Sequence, residues 1–143
     1  MTVRELVTLR DALARAISDA TTQRHMAVPR PVAIRSEALE ASARGQGCTL
    51  RLPGVCNHDT ATTVLCHLPG SPRTGAKGVG SKAHDTHAVY ACSDCHDYID
   101  GRRRRENTGL SGAVLLDAMV RGLDETHFLM VEAGLISVKG YPK

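Results

Sequence analysis

The chain contains very few large aromatic side chains. It has no Trp, one Phe and three Tyr among its 143 residues, although 42% of the residues are apolar. This shortage excludes a core built around aromatic rings, and the length allows one domain with an extension rather than two full domains. A structural zinc ion would compensate for so thin a core, because such an ion contributes about 10 kcal/mol or more to folding.

Long apolar runs are also missing. No stretch is long and apolar enough to cross a membrane, and the N-terminal segment is too highly charged to contain the apolar centre of a signal peptide. Its charged residues are Arg4, Glu5, Arg10, Asp11, Arg15 and Asp19. We therefore expect no membrane contact and a cytoplasmic protein whose five cysteines stay reduced.

The excess of positive charge is slight, so the total does not identify a partner. The chain carries 18 Lys and Arg against 15 Asp and Glu, a net charge of +3. Two local clusters of cations are more informative, because clustered Lys and Arg side chains bind the phosphates of nucleic acids. Exposed runs without a ligand are the alternative. The first cluster contains Arg73, Lys77 and Lys82 in a Gly-rich stretch, and the second is Arg102, Arg103, Arg104 and Arg105.

Four cysteines have the arrangement of a structural zinc site. Cys92 and Cys95 form a Cys-x-x-Cys pair, and Cys48 and Cys56 form a second pair around a predicted turn. Four thiolates complete a tetrahedral zinc site. The segment from Cys92 to His96 also matches the c-type haem attachment pattern, which requires an oxidising compartment. A thioredoxin-like redox pair is a further alternative, but no βαβ pattern precedes it.

Periodicity predicts an α+β fold. Leucines at helical spacing predict an amphipathic helix over the first twenty residues, whose apolar face either covers the core or pairs with a second copy to form a homodimer. Two prolines predict a linker after it, so we place a domain boundary between residues 28 and 29. The other predicted elements are a helix over 36–43, a strand over 48–52 with a turn at Pro53-Gly54, strands over 62–68 and 88–91, a helix over 94–100 capped by Ser93, and a helix over 111–134.

Several short motifs lie between residues 35 and 138. They are Arg35-Ser36, Leu52-Pro53-Gly54-Val55-Cys56-Asn57, Thr63-Val64-Leu65-Cys66-His67 and Ala91-Cys92-Ser93-Asp94-Cys95-His96-Asp97. With this combination of motifs, the chain resembles the YbcO-type nucleases of phages and prophages, a family related to the HNH endonucleases. The N-terminal helix lies outside the resemblance.

The resemblance implies a zinc-bound ββα-metal core, HNH-like and treble-clef-like, formed by residues 29–143 with additional N- and C-terminal helices. It implies a metal-dependent endonuclease that hydrolyses phosphodiester bonds in DNA, in the cytoplasm of a bacterial host. His67 would be the general base that activates water, because an imidazole exchanges protons near neutral pH. His96 would bind a catalytic divalent cation, either Mg²⁺, Mn²⁺ or Zn²⁺.

One position departs from the HNH pattern. Cys66 stands where an acidic residue usually precedes the first His, and a thiol is a poor ligand for a hard cation. Another carboxylate would have to serve, and Asp85, Asp97 and Asp100 are the candidates; we take Asp85 as the partner of His96. The alternative is a catalytically inactive zinc-finger module that binds nucleic acid or a protein partner.

Overall fold

The computed structural model describes residues 3–26, 32–69, 82–102 and 109–141. Its elements are, in chain order, α1 (Val3–Met26), α2 (Glu37–Ser42), a 3-10 turn (Thr60–Thr62), β1 (Val64–His67), β2 (Ala88–Ala91), α3 (Ser93–Ile99) and α4 (Gly112–Glu132). Helices combined with a two-stranded sheet confirm the predicted α+β class. The chain divides into two units, residues 1–30 and residues 31–143. None of the described helices is both long and apolar enough to span a membrane.

The N-terminal helix α1 is 24 residues long and forms most of the first unit. Its apolar side chains recur at helical spacing, as predicted, and the larger ones are exposed: Leu6, Leu9, Leu13 and Ile17. Most of the predicted linker lies outside the described residues, which omit 27–31. The boundary predicted between residues 28 and 29 falls in the same gap.

The strands β1 and β2 pair antiparallel, with Leu65 opposite Tyr90. The edge of β2 that faces away from β1 is covered by polar groups from two other parts of the chain. The carbonyl of Tyr90 accepts the N–H of Thr49 at 2.8 Å, and the N–H of Tyr90 donates to Thr126 Oγ1 at 3.2 Å. The hydroxyls of Thr49 and Thr126 lie 2.8 Å apart. These bonds leave β2 buried along its whole length.

The long helix α4 packs against β2 and Thr49 through small and polar side chains. A Cβ atom on Gly122 would lie 3.3 Å from the carbonyl oxygen of Thr49 and 3.4 Å from Cγ1 of Val89. Glycine therefore permits the close approach of the helix to this layer. The buried residues of α4 recur every four positions: Ala118, Gly122, Thr126 and Met130.

Helix boundaries mostly follow the predicted signals. Ser36 and Ser111 cap α2 and α4, and their hydroxyls accept backbone N–H groups of the first turns. Helix α3 differs from the prediction, because Cys92 and not Ser93 is its N-cap residue. Ser93 is instead the first helical residue, and its hydroxyl accepts a hydrogen bond from the side chain of Asn57 at 3.0 Å.

The strand predicted over residues 48–52 is wrong, because this segment is a loop. Arg51 has φ +41°, outside the extended region, and its N–H donates to Cys48 Sγ at 3.4 Å rather than to a neighbouring strand. The turn that follows forms as predicted, with the N–H of Cys56 donating to the carbonyl of Leu52 at 3.0 Å. Loop and turn together bring Cys48 and Cys56 to the same side of the chain.

We expect Thr126→Val to lower the free energy of unfolding by about 1–3 kcal/mol, because it leaves the buried N–H of Tyr90 and the hydroxyl of Thr49 without this partner. Thr126→Ser, the control, keeps the hydroxyl and should cost less. Urea denaturation followed by circular dichroism measures both variants. A valine variant as stable as the serine variant would contradict this role of the hydroxyl.

Candidate metal centre and adjoining cavity

Four cysteines meet where the 48–56 loop faces the start of α3. Their sulfur atoms all lie within 4.8 Å of one another, and the Sγ atoms of Cys56 and Cys92 are 3.8 Å apart. Zinc with Zn–S bonds of about 2.3 Å forms a tetrahedron with edges of about 3.8 Å, so the cluster has the dimensions of a zinc site. The cluster comprises all four predicted ligands, Cys48, Cys56, Cys92 and Cys95.

Neighbouring thiols perturb one another in this cluster. The Cys95 thiol donates to Cys48 and lowers the pKa of Cys48 to about 4, although burial opposes the shift. The same bond raises the pKa of Cys95, and burial raises the pKa of Cys56 to about 11. The surroundings of the cluster therefore favour the thiolate of Cys48 and disfavour the thiolates of Cys56 and Cys95. A divalent cation would supply the missing positive charge, which fits a structural metal better than haem attachment or a redox pair.

The fifth cysteine, Cys66, lies outside this cluster. Its side chain is fully buried in the hydrophobic core beside Val89 and Leu68, and burial raises the pKa of the thiol to about 12. Cys66 is therefore a neutral core residue, as small buried cysteines usually are.

Both predicted catalytic histidines line a cavity of about 760 Å³, and one of them, His96, directly follows Cys95 of the cluster. Residues of α2, of β1 and its approach, and of the C-terminal end of α3 form its walls, together with Lys82. The lining residues are Glu37, Glu40, Ala41, Arg44, Thr63, Val64, Leu65, His67, Lys82, His96, Asp100 and Arg102.

Two of the predicted phosphate-binding cations, Lys82 and Arg102, thus share the cavity with the histidines. The other five lie outside the described residues, so their predicted role stays a prediction. They are Arg73, Lys77, Arg103, Arg104 and Arg105.

His67 ends strand β1, and a buried carboxylate contacts its ring. His67 Nε2 lies 2.8 Å from Asp85 Oδ1, and the two side chains are 11% and 1% exposed. The other Asp85 oxygen accepts the N–H of Ser36 at 2.6 Å, and Arg35 approaches Oδ1 at 3.2 Å. Burial alone would raise the pKa of Asp85, but the bonds from His67 and Ser36 and the charge of Arg35 hold it below its ordinary value.

His96 lies in α3, directly after Cys95, and its closest carboxylate is not the predicted one. His96 Nε2 lies 3.3 Å from Asp100 Oδ2, one helical turn further along the chain. Asp85 does not line the cavity, and His67, Arg35 and Ser36 occupy its oxygens. The structure therefore pairs Asp100 with His96 and Asp85 with His67.

Three charged residues of the cavity lining were not predicted as site residues from the sequence. Glu37, Glu40 and Arg44 recur at intervals of three and four residues, so they share one face of α2 and its C-terminal turn. This spacing was visible in the sequence of the predicted helix over 36–43. Its functional meaning was not, because nothing in the spacing indicates that α2 lines the same cavity as His67.

Comparisons with known proteins agree on one family. The family described as "Putative nuclease YbcO" matches residues 37–132. Relatives with that name from Escherichia coli strain K12 and from Enterobacteria phage 82 are each 39% identical over 98 residues, which is 68% of this chain and 95% of the relative. A solved structure titled as that of a putative bacteriophage protein from E. coli K-12 aligns with a TM-score of 0.50 and 32% identity, covering 66% of this chain and 98% of the other.

We expect the purified protein to contain one zinc ion per chain and Cys95→Ser to lose it, because three thiolates leave the tetrahedral site incomplete. Cys66→Ala is the matched control and should retain zinc, since Cys66 lies outside the cluster. Elemental analysis measures the zinc content. Thermal unfolding should show a large loss of stability in the zinc-free variant, as a structural zinc ion contributes about 10 kcal/mol or more. Equal zinc content in Cys95→Ser and the wild type would contradict the four-cysteine assignment.

Proposed function

The chain belongs to the YbcO family, and on this basis we propose that it is a metal-dependent nuclease that hydrolyses phosphodiester bonds in DNA. The observation that carries the proposal is that one cavity is lined by both His67 and His96 together with the cations Arg44, Lys82 and Arg102. Phosphodiester hydrolysis needs a base for water, stabilisation of the charge on phosphate, and contacts that hold the backbone. The cavity offers residues for each of these tasks.

His67 serves as the general base. One of its ring nitrogens is committed to Asp85, and the side chain as a whole borders the cavity. An imidazole held in this way presents its other nitrogen to a water molecule and accepts its proton near neutral pH.

His96 and Asp100 hold a divalent cation, either Mg²⁺, Mn²⁺ or Zn²⁺. Their nearest ligand atoms, His96 Nε2 and Asp100 Oδ2, are 3.3 Å apart, a separation that one cation can bridge with bonds of about 2.1 Å. The cation would displace Arg102, which lies 3.0 Å from the same Asp100 oxygen. Glu37 and Glu40 add carboxylates to the same cavity. Such a cation, when bound, stabilises negative charge on the phosphate and the leaving oxygen.

Arg44 and Lys82 contact the phosphates of the DNA backbone. Both side chains line the cavity, and neither forms an ion pair with a carboxylate of the described residues. Arg102 also lines the cavity but contacts Asp97 and Asp100 at 3.1 and 3.0 Å. Unpaired cations beside a histidine base favour an anionic substrate over a neutral one.

The order of the elements supports an HNH-like ββα-metal arrangement for this domain. Strand β2 leads directly into α3, and the cysteine cluster lies at their junction. In the proposed arrangement the zinc ion is structural, and the cation at His96 is catalytic.

One observation favours a second candidate function, a zinc-dependent binding module without catalysis. Cys66 is buried and neutral, so the position before His67 offers no ligand to a cation. In this alternative the cavity binds nucleic acid through its cations, and no bond is cleaved.

Plasmid cleavage with Mg²⁺, Mn²⁺ or Zn²⁺ separates the two candidates. We expect His67→Gln to reduce the cleavage rate about 10²-fold or more, because the base is lost. His87→Gln is the matched control, as His87 does not line the cavity, and it should cleave like the wild type. Equal rates for His67→Gln and the wild type would remove His67 as the base, and absence of cleavage with every cation would favour the binding module.

We expect Arg44→Gln to weaken DNA binding and to reduce the slope of log affinity against log salt by about 1, the effect of losing one phosphate contact. Fluorescence anisotropy with a labelled duplex, in the His67→Gln background, measures both quantities. Lys139→Gln, which removes a charge outside the cavity lining, is the control. An unchanged salt slope in Arg44→Gln would show that Arg44 does not contact phosphate.

A further inference from the structure

Two segments that are far apart in the sequence, residues 35–36 and residues 82–85, meet next to the ring of His67. The guanidinium of Arg35 donates to the carbonyl of Lys82 at 2.9 Å and also lies 3.2 Å from Asp85 Oδ1. The N–H of Ser36 donates to Asp85 Oδ2 at 2.6 Å. These bonds hold the backbone just before Asp85 and both oxygens of its carboxylate, which leaves the carboxylate little freedom to move.

The carboxylate of Asp85 is surrounded by donors and shielded from water. His67 and Arg35 approach one oxygen, Ser36 approaches the other, and the side chain is 1% exposed. These donors lower the pKa of Asp85, so the group is an ionised acceptor near neutral pH. An ionised carboxylate can only accept hydrogen bonds. The nitrogen of His67 that contacts it, Nε2, must therefore carry a proton, and in the neutral ring the lone pair is on Nδ1.

We propose that Asp85 is a positioning residue that holds His67 in the Nε2–H tautomer, and that Arg35 positions Asp85 for this task. The inference rests on the proposed function, in which His67 is the base. It changes the role of Asp85 from cation ligand to partner of the base. Neither Asp85 nor Arg35 lines the cavity, so both act through His67.

The same carboxylate connects His67 with a helix that also lines the cavity. Ser36, whose N–H binds Asp85, is the N-cap residue of α2. The following residues of that helix, Glu37 and Glu40, line the cavity. Asp85 thus fixes the ring of the base and the start of α2 relative to each other. Loss of its charge would disturb the base first, because a backbone N–H still finds an acceptor in an asparagine amide oxygen.

Nitrogen-15 NMR of the histidine rings in the wild-type protein tests the tautomer without any assay of cleavage. We expect the neutral His67 ring to carry its proton on Nε2, with Nδ1 unprotonated. Asp85→Asn should shift the ring toward the Nδ1–H form, because the amide can present its NH₂ group to Nε2. A wild-type ring protonated on Nδ1 would overturn the proposal, and this result does not depend on whether Asp85→Asn folds.

Cleavage kinetics supply the second readout. We expect Asp85→Asn to lower kcat by about 10²-fold or more with KM changed less than about threefold, since a wrong tautomer removes the base but not the phosphate contacts. Arg35→Gln should lower kcat less, because the contact between His67 and Asp85 remains. Asp117→Asn, the same substitution on the exposed face of α4, should match the wild type. An Asp85→Asn variant with wild-type kcat and a folded spectrum would refute the positioning role.

The two readouts distinguish failure of this inference from failure of the proposed function. Absence of cleavage by the wild-type protein would count against the nuclease, while the wild-type tautomer would still decide the positioning role of Asp85. Cleavage that depends on His67 but not on Asp85 would leave the nuclease intact and overturn the inference.

Discussion

The confinement of four thiols to one small volume is the constraint on which the rest of the domain depends. Cys48 and Cys56 come from an irregular loop, whereas Cys92 and Cys95 flank the start of α3, and their sulfur atoms lie within 4.8 Å of one another. The cluster favours the thiolate of Cys48 and raises the pKa of Cys95, and a divalent cation in its centre would stabilise the thiolate forms. Because His96 directly follows Cys95, the same cluster also sets where this histidine lies.

Because the core is poor in aromatic residues, polar contacts between the elements supply part of the stability of the fold. Thr49 and Thr126 bind the free edge of β2 and hold α4 against it, and Asp85 joins the end of β1 to the start of α2. The threonine bonds are buried and those of Asp85 are partly buried. A buried group left unsatisfied would cost about 1–3 kcal/mol. These contacts and the cysteine cluster hold the surrounding segments against the same small sheet. His67 and His96 therefore line one cavity.

Much of the fold could be predicted from local patterns. The strand over 88–91, the turn after Leu52 and the helix starts near Ser36 and Ser111 depend on neighbouring residues, and each was found as predicted. The prediction of a strand over 48–52 was wrong. The alternating pattern favours a strand, but the N–H of Arg51 donates to a sulfur atom instead of to a neighbouring strand. The prediction that Ser93 caps α3 was also wrong, because the preceding cysteine occupies the N-cap position.

The sequence by itself identified the four cysteines of the cluster and the two cavity histidines, because spacing and motif are written along the chain. It also indicated that Cys66 is a poor ligand for a hard cation, and the burial of its side chain is a second reason. Only the tertiary structure decided that Asp85 contacts His67 and that Asp100 is the carboxylate beside His96. Three candidate carboxylates look alike in a sequence, and their roles differ only through the donors that surround each one. Those donors, Arg35 and Ser36 above all, reach Asp85 from a segment about 50 residues away, a distance that no local pattern encodes.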